Sequence, residues 1–294
     1  MSELVQALAD GLALGSVYSL LGLSIALLFG LMRLANFAHG ELIMVGGYTI
    51  FLLAGAPLLV VLAVVTIVVV LVALTMERLA FRTLREAEVT TKLMAAFALA
   101  FLLQNIALYA FGGRPKATDI GSFANGSLSV AGIHLGVLDL INVAVAVILL
   151  GGLAAFLRRS PIGTQMRAAA EDFRMARLLG VKADRVIATA FGISGLFAAV
   201  SAVLLLAQTG VLVPDMGLEP VLVAFIANVI GGMGRLVGAA IGGFLLGLAT
   251  VFLQTYLPVD LAPFREAFVY AAVIAILLVR PEGLFGSKAL AARV

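Results

Sequence analysis

The chain has no cysteine and no tryptophan among its 294 residues, and charged residues make up only 12% of it. Without cysteine it forms no disulfide, no thiolate metal site and no cysteine nucleophile. Without tryptophan, an aromatic belt at a membrane surface has to use Tyr and Phe. So few charges are not enough to solvate a soluble protein of this length, which points to a membrane protein.

Motifs of enzyme chemistry are also missing. The sequence has no glycine-rich phosphate loop ending in Lys-Ser or Lys-Thr, no HExxH, no GxSxG and no paired carboxylates within an apolar run. The two histidines, His39 and His134, fall on opposite sides of the topology derived below, so we expect no metal site. We therefore expect that the chain is not an enzyme and that any ATP hydrolysis occurs in another subunit.

Apolar residues make up 63% of the chain and fall into long runs. Runs bounded by charge, Pro or Gly predict about nine segments, at residues 11–30, 41–56, 58–76, 89–111, 138–157, 186–210, 219–232, 235–254 and 266–280. The expected fold is all-α, a polytopic membrane helical bundle of eight to nine segments. Runs of 14 to 16 residues rise only about 21–24 Å, less than a hydrocarbon core of about 30 Å. Segments 41–56 and 219–232 are therefore expected to be tilted, re-entrant or partly buried.

The distribution of Lys and Arg predicts the orientation. With the N-terminus placed outside and the loops alternating, sixteen of the 19 basic residues fall on one side: Arg33, Arg78, Arg82, Arg85, Lys92, Arg158, Arg159, Arg167, Arg174, Arg177, Lys182, Arg185, Arg235, Arg280, Lys288 and Arg293. Arg114, Lys116 and Arg265 fall on the other. The positive-inside rule then places the C-terminus inside. Because the first residues carry Glu3 and Asp10 but no basic residue, we expect the first segment to be a retained span.

Residues 160–185 form a charged stretch between two apolar runs. Thr164 is expected to cap a short helix, Asp172 to cap a second one ending at Gly180, and Asp184 to cap the next span. Apolar and basic residues alternate along these helices as in an amphipathic surface. Two interpretations stay open: a docking site for a soluble partner with an acidic-rimmed groove, and a segment lying on anionic lipid.

Four motifs carry a resemblance to a known family. They are GTQMRAAAEDFRMARLLGVKADRVIATAF at 163–191, NFAHGELIMVGGY at 36–48, GGMGRLVGAAIGGFLLG at 231–247 and RPEGLFG at 280–286. In this order they resemble permeases of the branched-chain amino acid type of ABC importer. Arg235 stands where a small polar residue is more usual in that family.

The resemblance implies a single transmembrane permease domain over residues 1–294, in a bacterial inner membrane. It implies as partners a second permease, either a paralogue or a second copy, two cytoplasmic ATP-binding subunits that use ATP and Mg, and a periplasmic solute-binding protein. No cofactor and no nucleic acid is implied for this chain. Region 158–186 would couple to the ATPases through Arg167, Ala168, Glu171, Asp172, Ala176, Leu179 and Gly180.

The solute is not determined by the sequence. The resemblance indicates leucine, isoleucine and valine, whereas similar permeases carry urea, short amides, other amino acids or aromatic acids. An ion-coupled secondary transporter is the competing class, but it usually needs intramembrane carboxylates, and this chain has almost none. Transport that depends on ATP and on ATPase subunits would separate the two classes.

Polar side chains in the apolar runs are candidates for the substrate pathway, because such groups are costly in lipid unless they are paired or hydrated. The candidates are Asn36, His39, Glu41, Gln104, Asn105, Gln208 and Asn228. For the first three a structural role competes: Asn36 would cap a broken helix, and Glu41 would lie near the positive end of that helix. The amides could equally join helices.

Glycines at spacings of four residues indicate close helix packing. They are Gly234, Gly238, Gly242, Gly243 and Gly247. The loop at 112–137, predicted to be extracellular, contains an Asn125-Gly126 pair between alternating stretches, which is typical of a small hairpin. This loop is either a docking surface for a binding protein or a simple connection.

Overall fold

The computed structural model describes residues 2–32, 36–85, 87–118, 120, 126–130, 133–281 and 283–285. Eleven α-helices account for most of this part of the chain. They are α1 (Ser2–Met32), α2 (His39–Leu52), α3 (Leu58–Met76), α4 (Val89–Phe111), α5 (Val137–Arg159), α6 (Pro161–Glu171), α7 (Phe173–Leu178), α8 (Ala183–Thr209), α9 (Leu218–Gly231), α10 (Leu236–Tyr256) and α11 (Arg265–Val279). A π-helical turn, Glu77–Phe81, extends α3, and a 3₁₀ segment, Val259–Phe264, precedes α11.

Four short strands lie between the helices. β1 (Lys116–Ala117) pairs antiparallel with β4 (Val211–Leu212), and β2 (Ser127–Val130) pairs antiparallel with β3 (Ile133–Gly136). The hairpin predicted for the 112–137 loop is present, but both of its strands follow Gly126, so the Asn125-Gly126 pair does not connect them. Asn125 lies outside the described residues, as do Arg33, Lys288 and Arg293 from the orientation argument.

Each predicted apolar run forms a helix. In the described part of the chain, seven helical segments are long and apolar enough to cross a membrane, and the short α2 and α9 are the other two runs. The chain is therefore a multi-pass membrane protein. The first helix begins at Ser2 rather than near residue 11. The polar residues before Gly11 recur at spacings of three and four residues, so they fall on one face of the helix and do not end it.

α1 and α8 form the centre of the bundle. In the most apolar part of α1, 78% of the residues are buried within the chain, and in α8 67% are, compared with 17% in α4 and 11% in the segment that contains α11. The central helices gain their stability from helix–helix packing, whereas the outer ones expose apolar side chains as lipid-facing helices do. α10 packs along α1, and α3 packs along α8.

Contacts between distant loops define the two ends of the bundle. At one end the Gln6 amide donates to the His134 carbonyl oxygen over 2.8 Å, and β1 pairs with β4. At the other end Gly30 lies against Gly234, and the Arg235 guanidinium donates to the carbonyl oxygen of Phe285. Loops predicted to share a side of the membrane therefore meet at the same end.

α2 and α9 begin inside the bundle rather than at its ends. Each has 14 residues and a length of about 21 Å. A Cβ on Gly40, at the start of α2, would collide with the carbonyl oxygen of Gly217, which immediately precedes α9. Further along α2, Gly47 faces Leu212 and Met216. The two short helices thus start side by side at one level and run toward opposite ends.

Candidate functional site

The charged stretch folds into α6 and α7, two short helices at the end of the bundle that carries most of the basic residues. Ser160 begins α6: its Oγ accepts from the Gly163 backbone N–H at 2.8 Å, and Pro161 occupies the first turn. The prediction that Thr164 caps this helix is wrong, because Thr164 lies inside it and its hydroxyl bonds back to the Ser160 carbonyl oxygen. Ser160 takes the cap because Pro161 is suited to the first helical position that follows it, where its missing N–H leaves no donor to satisfy.

α7 begins and ends as predicted. Asp172 Oδ1 accepts from the Met175 N–H at 2.9 Å, and Gly180, with a φ of 89°, ends the helix in the left-handed region. Ala176 anchors the helix against the body of the protein. Leu178 and Leu179 are 76% and 80% exposed, although this end of the bundle is rich in charge. Such an apolar projection among charged residues is typical of a docking surface.

The coupling candidates share this exposure. Arg167, Ala168, Glu171, Asp172, Leu179 and Gly180 are all exposed, whereas Ala176 is buried. α6 is fixed beneath them by the buried side chains of Met166 and Ala169. A cleft of about 320 Å³ lies where α6 meets α7, between the end of α1 and the side chains of Arg85 and Lys92. A displacement of α6 and α7 would therefore act directly on the end of the central helix.

An ion cluster joins α3 to the start of α8 beside these helices. The Arg85 guanidinium pairs with both Glu77 and Asp184, and Arg82 pairs with Asp184 as well. The prediction that Asp184 caps α8 is therefore wrong: Lys182 occupies the cap position without a side-chain bond, and the two arginines hold the Asp184 carboxylate. Glu77 is only 5% exposed, so Arg85 neutralises a buried charge.

His39 holds the start of α2 inside the bundle. It is completely buried, with Nε2 2.7 Å from Ser24 Oγ on α1 and Nδ1 3.2 Å from Ser194 Oγ on α8. Ser24 lies about 12 Å from the end of α1, and Ser194 about 16 Å from the start of α8. α2 therefore starts near the middle of a hydrocarbon core of about 30 Å.

Asn36 supports the turn before α2 rather than capping the helix itself. Its Oδ1 accepts from the Ala38 N–H at 3.1 Å and its backbone carbonyl accepts from the His39 N–H at 3.1 Å, while Ala38 occupies the cap position. The Asn36 Nδ2 is buried and finds no hydrogen-bond partner within the described part of the chain. The Asn36 amide N–H group is therefore available as a hydrogen-bond donor next to the start of α2.

Glu41, in the first turn of α2, is a buried carboxylate. It is 2% exposed; Oε1 accepts from Gln104 Nε2 at 2.7 Å, and Oε2 has no hydrogen-bond partner among the residues that the structure describes. Gln104 belongs to α4 and lines a cleft of about 300 Å³ together with Asn105 and Asp215. This position is at the positive end of the α2 dipole, which favours a negative charge there.

Two faces of α10 allow backbones to approach closely. One face places Gly243 against Ser19 and Gly247 against Gly15, both on α1, and the other places Gly242 against Ala227 on α9. Gly238 faces Gly231, and Gly234 lies in the turn before α10, opposite Gly30. The Ser19 hydroxyl donates to the Ala240 carbonyl oxygen at 2.5 Å and joins the two helices.

Comparison with known proteins shows which family the chain belongs to. Residues 7–278, from α1 to α11, match the family described as branched-chain amino acid transport system / permease component. The chain belongs to this permease family. It is 33% identical to the high-affinity branched-chain amino acid transport system permease protein BraD of Pseudomonas aeruginosa, over 96% of this chain and 95% of that protein. It is 34% identical to the permease protein LivH of Escherichia coli K12, with the same coverage.

The permease brings together some of the predicted pathway residues and separates others. Glu41 and Gln104 are in contact. Asn105 is exposed on the same helix and donates to the Phe101 carbonyl oxygen of its own helix. Gln208 lines a separate cleft of about 550 Å³ between α1, α8 and α9. Asn228 donates to the Gly22 carbonyl oxygen at 2.6 Å and so joins α9 to α1.

Three residues at the centre of the permease were missed from the sequence. Ser24 and Ser194 hold the His39 ring, and Asp215 lines the cleft next to Gln104. Serine is common in membrane helices, so neither hydroxyl stood out from the apolar runs around it. The charge of Asp215 within an otherwise apolar stretch was a signal that could have identified it. In the described part of the permease no group of three His, Asp or Glu side chains is placed to hold a metal ion.

Proposed function

We propose that this chain is a membrane subunit of an ATP-driven importer that carries branched-chain or related amino acids across a bacterial inner membrane. The observation that carries the proposal is the family match over residues 7–278. Relatives that match almost end to end are named as high-affinity branched-chain amino acid permeases. ATP and Mg would be used by partner subunits, while this chain supplies the route.

The assembly proposed is a second permease, two cytoplasmic ATP-binding subunits and a periplasmic solute-binding protein. The exposed apolar projection of Leu178 and Leu179 supports docking of an ATP-binding subunit on α6 and α7, at the centre of coupling region 158–186. The outer loop 112–137 would face the binding protein. The whole chain, 1–294, would act as one permease domain.

The proposed orientation places the N-terminus outside and the C-terminus inside, with the seven long helices crossing and the two short ones completing the bundle. It is supported by the clustering of basic residues at the end that contains α6 and α7. In this orientation the start of α2 lies between an outer cleft at Asp215 and an inner cleft beneath α6. The α2–α9 junction is therefore the proposed barrier of the substrate pathway.

The test is uptake into proteoliposomes that contain the permease with its partner subunits and the binding protein. Leucine uptake is expected to require ATP and to persist when proton and sodium gradients are collapsed. Uptake by this chain alone, driven by an ion gradient, would instead establish a secondary transporter. Comparing leucine with urea, acetamide and benzoate would separate the amino acid from the other solute classes.

A further inference from the structure

We propose that Glu41 is the group that receives the ammonium of the transported amino acid, and that Gln104 shields it until the solute arrives. This inference rests on the proposed function and specifies the chemistry of its pathway. It starts from an unusual observation: Glu41 is 2% exposed, and none of the described residues forms a hydrogen bond with one of its two carboxylate oxygens.

A buried carboxylate normally has a cation beside it, because an unpaired charge is costly away from water. Glu77 follows this rule through Arg85. The ion pairs formed by the described residues include Glu77 and Asp184, but none includes Glu41. The hydrogen bond that its side chain forms with a described residue is to a neutral group, the Gln104 amide at 2.7 Å. The site is thus complementary to a cation that the described part of the chain does not supply.

The position of Glu41 matches the proposed route. It lies in the first turn of α2, and the neighbouring Gly40 touches Gly217 at the start of α9. Broken helices that begin inside a membrane protein commonly form solute sites, since polar backbone at that depth is tolerated where it lines a cavity. The Asn36 Nδ2, which is buried and unpartnered just before α2, adds a free donor close by.

Gln104 connects this carboxylate to the outside of the bundle. It lines the 300 Å³ cleft with Asp215, whereas Glu41 does not line that cleft. Asp215 is exposed at this cleft, and Glu41 is buried behind the Gln104 amide. Two carboxylates therefore follow one another along the proposed route. A cation attracted by Asp215 would reach Glu41 once the Gln104 amide turned aside.

The occupant we infer is the ammonium group of an α-amino acid. An ammonium group has three N–H donors. One of them can bond to the free Oε2 of Glu41, while Oε1 either keeps its hydrogen bond from the Gln104 amide or exchanges it for one from the ammonium. A neutral solute such as urea would not compensate the buried charge. The same chemistry gives Glu41 a role in selecting amino acids over amides, in addition to the selection made by a binding protein.

The first experiment compares leucine uptake by the full transporter carrying Glu41→Gln, Glu41→Asp or Glu88→Gln. Glu88 is exposed at the start of α4, so its variant makes the same chemical change away from the route. We expect Glu41→Gln to lower uptake at least tenfold, Glu41→Asp to restore much of it, and Glu88→Gln to match the wild type. Wild-type uptake by Glu41→Gln, or equal loss in Glu41→Asp, would overturn the inference.

The second experiment uses the wild-type complex and so does not depend on how a variant folds. A hydrophobic carbodiimide modifies buried carboxyl groups, and mass spectrometry reads the fraction of Glu41 that stays unmodified, so that an amide formed by an added amine on the activated carboxyl is counted as modification. Millimolar leucine and isopentylamine, which share the ammonium, are expected to slow the modification severalfold, whereas 4-methylpentanoate is not. Equal protection by 4-methylpentanoate, or none by leucine, would overturn the inference. A wild-type transporter that takes up no amino acid would instead refute the proposed function.

Discussion

Ser24 Oγ lies 2.7 Å from His39 Nε2, and Ser194 Oγ lies 3.2 Å from His39 Nδ1, so each ring nitrogen of His39 faces a serine hydroxyl. The Ser24 hydroxyl also donates to the Leu21 carbonyl oxygen at 2.7 Å, and the Ser194 hydroxyl donates to the Ser24 carbonyl oxygen at 3.0 Å. The His39 imidazole, held between the two serines, thus links α1, the start of α2 and α8.

Replacing Ser24 with alanine is expected to destabilise the permease by about 1–3 kcal/mol, because it leaves a buried imidazole nitrogen without its hydrogen-bond partner. The measurement is the thermal unfolding midpoint of the purified protein in detergent. Ser16→Ala is the matched control, since Ser16 is equally buried but bonds only to the Leu12 carbonyl oxygen of its own helix. Equal midpoints for the two variants would contradict the role given to His39.

The glycine faces of α10 predict a second pair of variants. Gly247→Ala places a Cβ against the Gly15 backbone, where backbone has to move, so a loss of about 1–3 kcal/mol or failure to assemble is expected. Gly151→Ala on α5 meets nothing within 4 Å and is expected to be neutral or stabilising by up to about 1 kcal/mol. Folded yield and thermal midpoint measure both. An unchanged folded yield and thermal midpoint in Gly247→Ala would show that α1 and α10 can move apart without a loss of stability.

The two arginines of the ion cluster are expected to differ in their effect on stability. Arg85→Ala leaves the buried Glu77 without its cation and should cost about 3 kcal/mol or more. Arg82→Ala removes an exposed pair with Asp184 and should cost less than about 1 kcal/mol. Unfolding of both variants in parallel checks the order. A larger loss of stability in Arg82→Ala than in Arg85→Ala would mean that the cluster stabilises the fold through Asp184 rather than through Glu77.

The sequence predicted the helices well because lipid imposes a simple rule. Where apolar runs had to be long enough to cross a membrane, as in α3 and α4, the predicted limits agree with the helices. The short runs that became α2 and α9 were also identified, since 14 residues are too few to span the core. These features depend on local composition, which a single sequence contains.

Tertiary contacts could not be predicted in the same way. Asp184 has a typical cap position, yet Arg82 and Arg85 reach it from about a hundred residues away. The contact between Glu41 and Gln104 joins two helices separated by 63 residues. Their shared polarity made both of them candidates, but only the packing of α4 on α2 shows which amide meets the carboxylate.

The exposed leucines of α7 predict a coupling defect. Leu179→Asp is expected to leave the fold intact, because the side chain is 80% exposed, and to reduce co-purification of the ATP-binding subunits and uptake at least tenfold. Leu4→Asp makes the same change at the opposite end of the bundle, where Leu4 is 49% exposed, and should leave that association unchanged. Normal association of Leu179→Asp would favour a lipid-bound role for α7.

Sidedness can be measured directly because the chain has no cysteine of its own. A single thiol introduced as Val211→Cys, in β4 at the end where α1 begins, is expected to react with an impermeant maleimide on intact cells. Lys182→Cys, exposed between α7 and α8, should react only after the membrane is permeabilised. This outcome is expected from the positive-inside rule, because most of the basic residues that the structure describes lie at that end. Labelling of Lys182→Cys on intact cells would place α6 and α7 outside, where no ATP-binding subunit can reach them, and would exclude their proposed coupling role.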